Sequence, residues 1–145
     1  MNPQKNFTSH LNTLQPHDWD KLFALLPEIQ QTAKFGTLEG GEPNENGVAH
    51  MPFWKSAQVV GDFVRVFYDL DLGVDFDWTS WTEGERMLND ESYDYTTLDT
   101  ITLCKLLTAI IRADRFDDGY LIVNFENGVV PKIIRAIQHN VESSE

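Results

Sequence analysis

The sequence predicts a mainly α domain, an irregular bundle of five or six helices with a short β-hairpin near residues 35–52. Three observations carry this. Apolar residues recur at three- and four-residue spacing in several stretches, most clearly Leu103, Leu106, Leu107 and Ile110. One stretch only, Gly36 to Pro52, is crowded with turn residues. The composition, 41% hydrophobic and 12% aromatic, suits a packed core. A chain of 145 residues is the size of one domain. It can bury roughly two thirds of its unfolded surface, so it needs no metal or disulfide to fold.

Residues 1–16 are polar and aperiodic and read as a flexible N-terminal arm, with the helical domain at 17–141 and a frayed tail at 142–145. Asp18 is placed to cap a helix from Trp19, whose apolar face is Trp19, Leu22, Phe23, Leu26 and Ile29. Pro27 lies inside that pattern and predicts a kink or restart, because it lacks an N–H and clashes with the preceding turn. Gly36 is a C-terminal stop. Gly40-Gly41, Pro43-Asn44 and Asn46-Gly47 then form a long loop or, as the reading preferred here, a weak hairpin turning near Asn46-Gly47. A helix from about Phe53 to Leu70 carries Val59, Val60, Phe63, Val64 and Phe67 on one stripe. A turn and a short helix from near Thr79 follow, pinned by Phe76, Trp78 and Trp81. Thr96 with Asp99 reads as a capping box for a central helix, Thr97 to about Ala113. Asp117-Asp118 open a helix from Gly119 to about Asn127, which Gly128 ends. Pro131 suits the first turn of a last helix with Ile133, Ile134, Ile137 and Val141 inward.

The formal net charge is −12. Carboxylates repel phosphate backbones and anionic lipid, so no nucleic-acid or membrane partner is expected. The charge is concentrated. Between Asp69 and Asp94 nine carboxylates face a single base, Arg86, whereas Leu98 to Val141 balances to zero. The one cysteine, Cys104, sits in an apolar run, which favours a small core residue in a reducing compartment. With no apolar run in MNPQKNFTSH and no stretch of membrane-spanning length, the expected location is the cytoplasm.

The C-terminal third, TLDTITLCKLLTAIIRADRFDDGYLIVNFENGVVPKIIRAI, resembles the bacterial domain of unknown function 6508 family. So do Gly40-Gly41-Glu42, Met51-Pro52-Phe53, and Phe76-Asp77-Trp78 with Trp81. The resemblance covers most of residues 18–141. It implies a small, mostly helical domain and no activity. It nominates Arg112, Asp114, Arg115, Phe116, Gly119, Phe125, Glu126 and Gly128 as signature residues. Asp117-Asp118 is more acidic than the family's usual pair.

Two candidate sites follow. The densest polar cluster is Arg112, Asp114, Arg115, Asp117, Asp118 and Glu126, at a helix–helix corner. Arg112 and Arg115 could hold an anion while Asp114 or Glu126 moves a proton. The structural alternative is an Arg–carboxylate network that clamps two helices. The second candidate is a partner surface of Asp71, Asp75, Asp77, Trp78, Trp81, Glu83 and Glu85, with carboxylates set around aromatic anchors.

The alternating acids from Asp69 to Asp77 resemble a calcium loop. They have Val74 where that loop needs glycine and Ser80 where it needs glutamate. His10, His17, His50 and His139 are scattered and no phosphate loop or nucleophile elbow is present. No catalytic residue, metal or cofactor is therefore assigned. The expected function is a small acidic binding or regulatory module that engages a basic protein. The alternative is a small enzyme or anion sensor at the Arg112–Glu126 corner. Self-association through an apolar helix face would make a homo-oligomer.

Overall fold

The computed structural model describes residues 3–143. Its helices are α1 (Pro3–Thr13), α2 (Pro16–Phe23), α3 (Leu25–Gln31), α4 (Gln58–Asp69), α5 (Thr82–Leu88), α6 (Thr100–Ala113), α7 (Tyr120–Glu126) and α8 (Val129–Ser143). Strands β1 (Gly36–Glu39) and β2 (Phe53–Ser56) pair antiparallel between α3 and α4, with Leu38 opposite Trp54. Single 3-10 turns precede α5, at Trp78–Ser80, and α6, at Tyr95–Thr97. The predicted class holds: a mainly helical bundle with one short hairpin.

α6 is central, as its two-sided greasiness predicts. Leu103, Leu106, Leu107 and Ile110 are fully buried, and so is Cys104. α7 and α8 pack on α6, and α2 and α3 lie against α8. Phe125 of α7 joins the layers, with Phe63 edge-on and Phe35 tilted, each 5.4 Å away between ring centres. Burial pushes the Cys104 thiol up to about 12. At pH 8 only about one thiol in ten thousand is then ionised. Native protein should therefore resist a thiol-labelling reagent until denaturant is added. Rapid native labelling would mean that α6 is not where this fold puts it.

Several boundaries differ from the expectation, each for a local reason. Residues 1–16, read as a flexible arm, contain α1, which buries Phe7 and directs His10 Nε2 at the Leu70 carbonyl, 2.8 Å away. Asp18 does not cap α2. Pro16 starts that helix, and the Asp18 carboxylate accepts the Gln15 N–H at 2.9 Å from the third helical position. The chain restarts at Ala24, which puts Pro27 in the first turn of α3, where its missing donor costs nothing. Phe53–Ser56, expected at the start of α4, is β2 instead, so the hairpin extends beyond residue 52. α6 begins three residues late, because Leu98 is extended and Asp99 itself accepts the Thr102 N–H. Residues 144–145 of the expected tail lie outside the described residues, and 142–143 finish α8.

The end of α4 launches the acidic segment. Asp71 takes φ 53°, the Asp71 N–H reaches the Tyr68 carbonyl and the Leu72 N–H reaches Phe67. This is a Schellman stop with aspartate where glycine is usual. Asp71→Gly should relieve the left-handed backbone and raise stability by about 0.5–1 kcal/mol, read as a higher urea midpoint. An unchanged or lower midpoint would contradict that geometry.

Candidate functional site

The corner resolves into three backbone clasps. Asp114 Oδ1 accepts the Leu121 N–H at 2.9 Å, near the start of α7. Asp118 Oδ2 accepts the Trp54 N–H at 3.0 Å, in β2. Glu126 Oε1 accepts the Phe35 N–H at 2.9 Å, just before β1. The last two tie both strands of the hairpin to α7. Gly119 and Gly36 complete the seam: a Cβ on Gly119 would lie 2.5 Å from Trp54 Cδ1, and one on Gly36 would lie 2.6 Å from Ile122 Cδ1. A glycine on each side therefore lets the hairpin approach α7 closely, Gly36 of β1 against Ile122 and Gly119 just before α7 against Trp54, with Asp118 and Glu126 holding the two ends.

The arginines of the corner are left out of these bonds. Among the described residues neither Arg112 nor Arg115 forms an ion pair. Arg112 is half-buried, and its Nη2 would lie 3.9 Å from a Cβ on Gly73, in the stretch after α4. Arg115 and the neighbouring Phe116 are exposed, Phe116 at 83%. The clamp considered from sequence pairs Arg with carboxylate, but the geometry pairs carboxylate with amide.

The acidic segment is anchored by alternation. Leu70, Leu72 and Val74 are buried and Phe76 half-buried, while Asp69, Asp71, Asp75 and Asp77 face solvent. Thr108 of α6 fixes it further. Its Oγ1 accepts the Val74 N–H at 3.1 Å and donates to the Cys104 carbonyl at 2.7 Å. Glu83, Glu85, Asp90, Glu91 and Asp94 are exposed as well. None of the nine carboxylates is in an ion pair among the described residues, where the pairs are His17–Asp18 and Arg65–Asp62. Several are capped by hydroxyls instead. Hydrogen bonds from Ser80 and then Thr79 hold Asp77 below its ordinary pKa, and the Thr96 side chain does the same for Asp94. A carboxylate so held keeps its charge to lower pH.

A cleft of about 330 Å³ joins the two candidate sites. Trp78, Trp81 and Glu85 come from the acidic segment, and Asp117 and Tyr120 from the corner. Ala109 and Ala113 of α6 line it as well. Both tryptophans are half-buried. The Trp78 ring lies 6.2 Å from Phe116, and Trp81 stands edge-on to Phe76 at 5.4 Å. Lys105 Nζ approaches both Phe76 and Trp81, at 5.2 and 5.9 Å from the ring centres. Burial, with Glu85 and Asp117 contributing, raises the Tyr120 phenol above its ordinary pKa. Neither Glu85 nor Asp117 spends its side chain on a hydrogen bond or ion pair among the described residues. Sequence reasoning missed Tyr120, Ala109 and Ala113 as part of one site. The signal was two alanines, Ala109 and Ala113, one turn apart on a helix whose apolar positions are otherwise mostly leucine and isoleucine; the alanines leave room for aromatic side chains.

A wider cleft of about 470 Å³, among α1, α2, α6 and α8, contains none of the nominated side chains. No three His, Cys, Asp or Glu residues converge as metal ligands among the described residues.

Residues 14–143 match the family described as "Family of unknown function (DUF6508)". The chain belongs to this family. The match covers the hairpin, the acidic segment and the clasped corner together. Neither a curated protein nor a solved structure matches the chain. No helix among the described residues is long and apolar enough to cross a membrane.

Proposed function

We propose that the protein is a non-enzymatic binding or regulatory module that presents the segment Asp69–Asp94 to a basic protein surface. The observation that supports this is the solvent-facing set of carboxylates that no lysine or arginine neutralises among the described residues. Aspartates that alternate with buried apolar residues are held in place without being consumed. An ordered field of one sign steers a partner of opposite sign and rejects like-charged ones.

The test is affinity capture from lysate with identification by mass spectrometry at two ionic strengths, run beside an Asp75→Asn/Glu83→Gln/Glu85→Gln control. Basic proteins should be captured at low salt, fade steeply as salt rises, and be lost by the control. Capture that is indifferent to salt and to the three substitutions would sink the proposal.

The second reading, an enzyme or anion sensor at the Arg112–Glu126 corner, draws on the two arginines that lack ion pairs among the described residues. Asp114, Asp118 and Glu126 already hold backbone amides, which leaves that site with cations and no spare acid or base beyond Asp117.

A further inference from the structure

We infer that the cleft between Trp78, Trp81 and Tyr120 is a receptacle for one cationic side chain, a lysine or arginine of the basic partner, held by Glu85 and Asp117. This rests on the acidic-face reading above and names its anchoring contact.

The cleft's chemistry excludes the other ligand classes in turn. An anion would meet two carboxylates and no lining cation. A metal ion would find no cluster of three ligating groups. A wholly apolar ligand would strip water from two carboxylates that have no partner to replace it, at a cost no small apolar contact offsets. A cationic side chain satisfies every surface. Its methylene stem can lie on Ala113 while its head takes the carboxylates and the aromatic faces, whose quadrupoles attract positive charge. The molecule already contains one such contact, since Lys105 Nζ sits beside the Trp81 ring without lining the cleft. The volume, about 330 Å³, admits a side chain and not a folded element.

The experiment is an NMR titration of the full, nitrogen-15-labelled chain with three short peptides of equal length. One is lysine-rich, one arginine-rich, and one has glutamine at every cationic position. The expected result is that the indole N–H signals of Trp78 and Trp81 shift with either cationic peptide and stay still with the glutamine peptide. Glu85→Gln/Asp117→Asn should weaken that binding about tenfold, and because both residues are exposed the fold is kept. Cationic peptides that bind the Asp69–Asp94 segment without moving the indoles, and equally well in the double variant, would overturn the receptacle and leave the acidic face standing. Equal shifts with the glutamine peptide would also overturn it. No binding of either cationic peptide would overturn both proposals.

Discussion

Phe125→Ala should lower the unfolding free energy by about 3–5 kcal/mol, the largest loss expected of any single substitution here. Phe125 is 2% exposed and is the ring through which α7 meets both α4 and the root of the hairpin. Truncation removes the transfer free energy of the ring. It also opens a cavity that Phe63 and Phe35 cannot both fill, because Phe63 is fixed in α4 and Phe35 is held by its amide on Glu126. A domain of this kind has about 5–15 kcal/mol in all, so the variant sits near the edge of folding. Phe125→Leu retains most of the volume and should cost less than half as much. Urea unfolding followed by circular dichroism should give ordered midpoints, wild type above leucine above alanine, with an unchanged slope. An alanine variant within 1 kcal/mol of wild type, on the scale of about 3–5 above, would mean that the three rings do not form one core.

Gly119→Ala is the second. The residue sits at φ +90°, and an added Cβ would lie 2.5 Å from Trp54 Cδ1 and 2.7 Å from Nε1. The backbone strain costs about 1–2 kcal/mol and the overpacking about 1–3 kcal/mol more. The Asp118 carboxylate holds the Trp54 backbone amide in place, so relief has to come from turning the indole off its seat on Gly119. Gly47→Ala isolates the two contributions. Gly47 has φ +78° with nothing within 4 Å of its Cβ position, so that variant suffers strain alone. A greater loss at Gly119 than at Gly47, together with faster amide exchange at Trp54, is the expected outcome. Equal losses would show that the hairpin does not rest on α7.

What could be read from the chain follows from how local each signal is. α6 was legible because Leu103, Leu106, Leu107 and Ile110 repeat with the helix period. The hairpin was legible because Asn44 and Asn46-Gly47 build their own turn, in which Asn44 Oδ1 accepts the N–H groups of Asn46 and Val48. β2 was misread as helix because the bond that recruits it, Trp54 to Asp118, spans 64 residues. The same blindness affected the corner. Sequence proximity offers Arg112 and Arg115 as partners for the carboxylates, but Glu126 bonds an amide 91 residues away. α1 was missed because its stretch is mostly polar: among the described side chains of this helix Phe7 is buried and Leu11 only partly so. The cleft needed both sites folded together before Trp78 and Tyr120 could be seen as walls of one cavity.

The division of labour between these regions can be tested directly. Asp114, Asp118 and Glu126 of the corner clasp backbone amides, and the proposed function assigns binding to the acidic, aromatic face. Isothermal titration of a lysine-rich peptide into two variants separates them. Asp71→Asn/Asp75→Asn/Glu83→Gln/Glu85→Gln should lose about tenfold or more in affinity, while Arg112→Gln/Arg115→Gln should bind as wild type or slightly tighter. Loss of binding in the arginine variant, with the face variant unimpaired, would place the site at the corner and contradict this account.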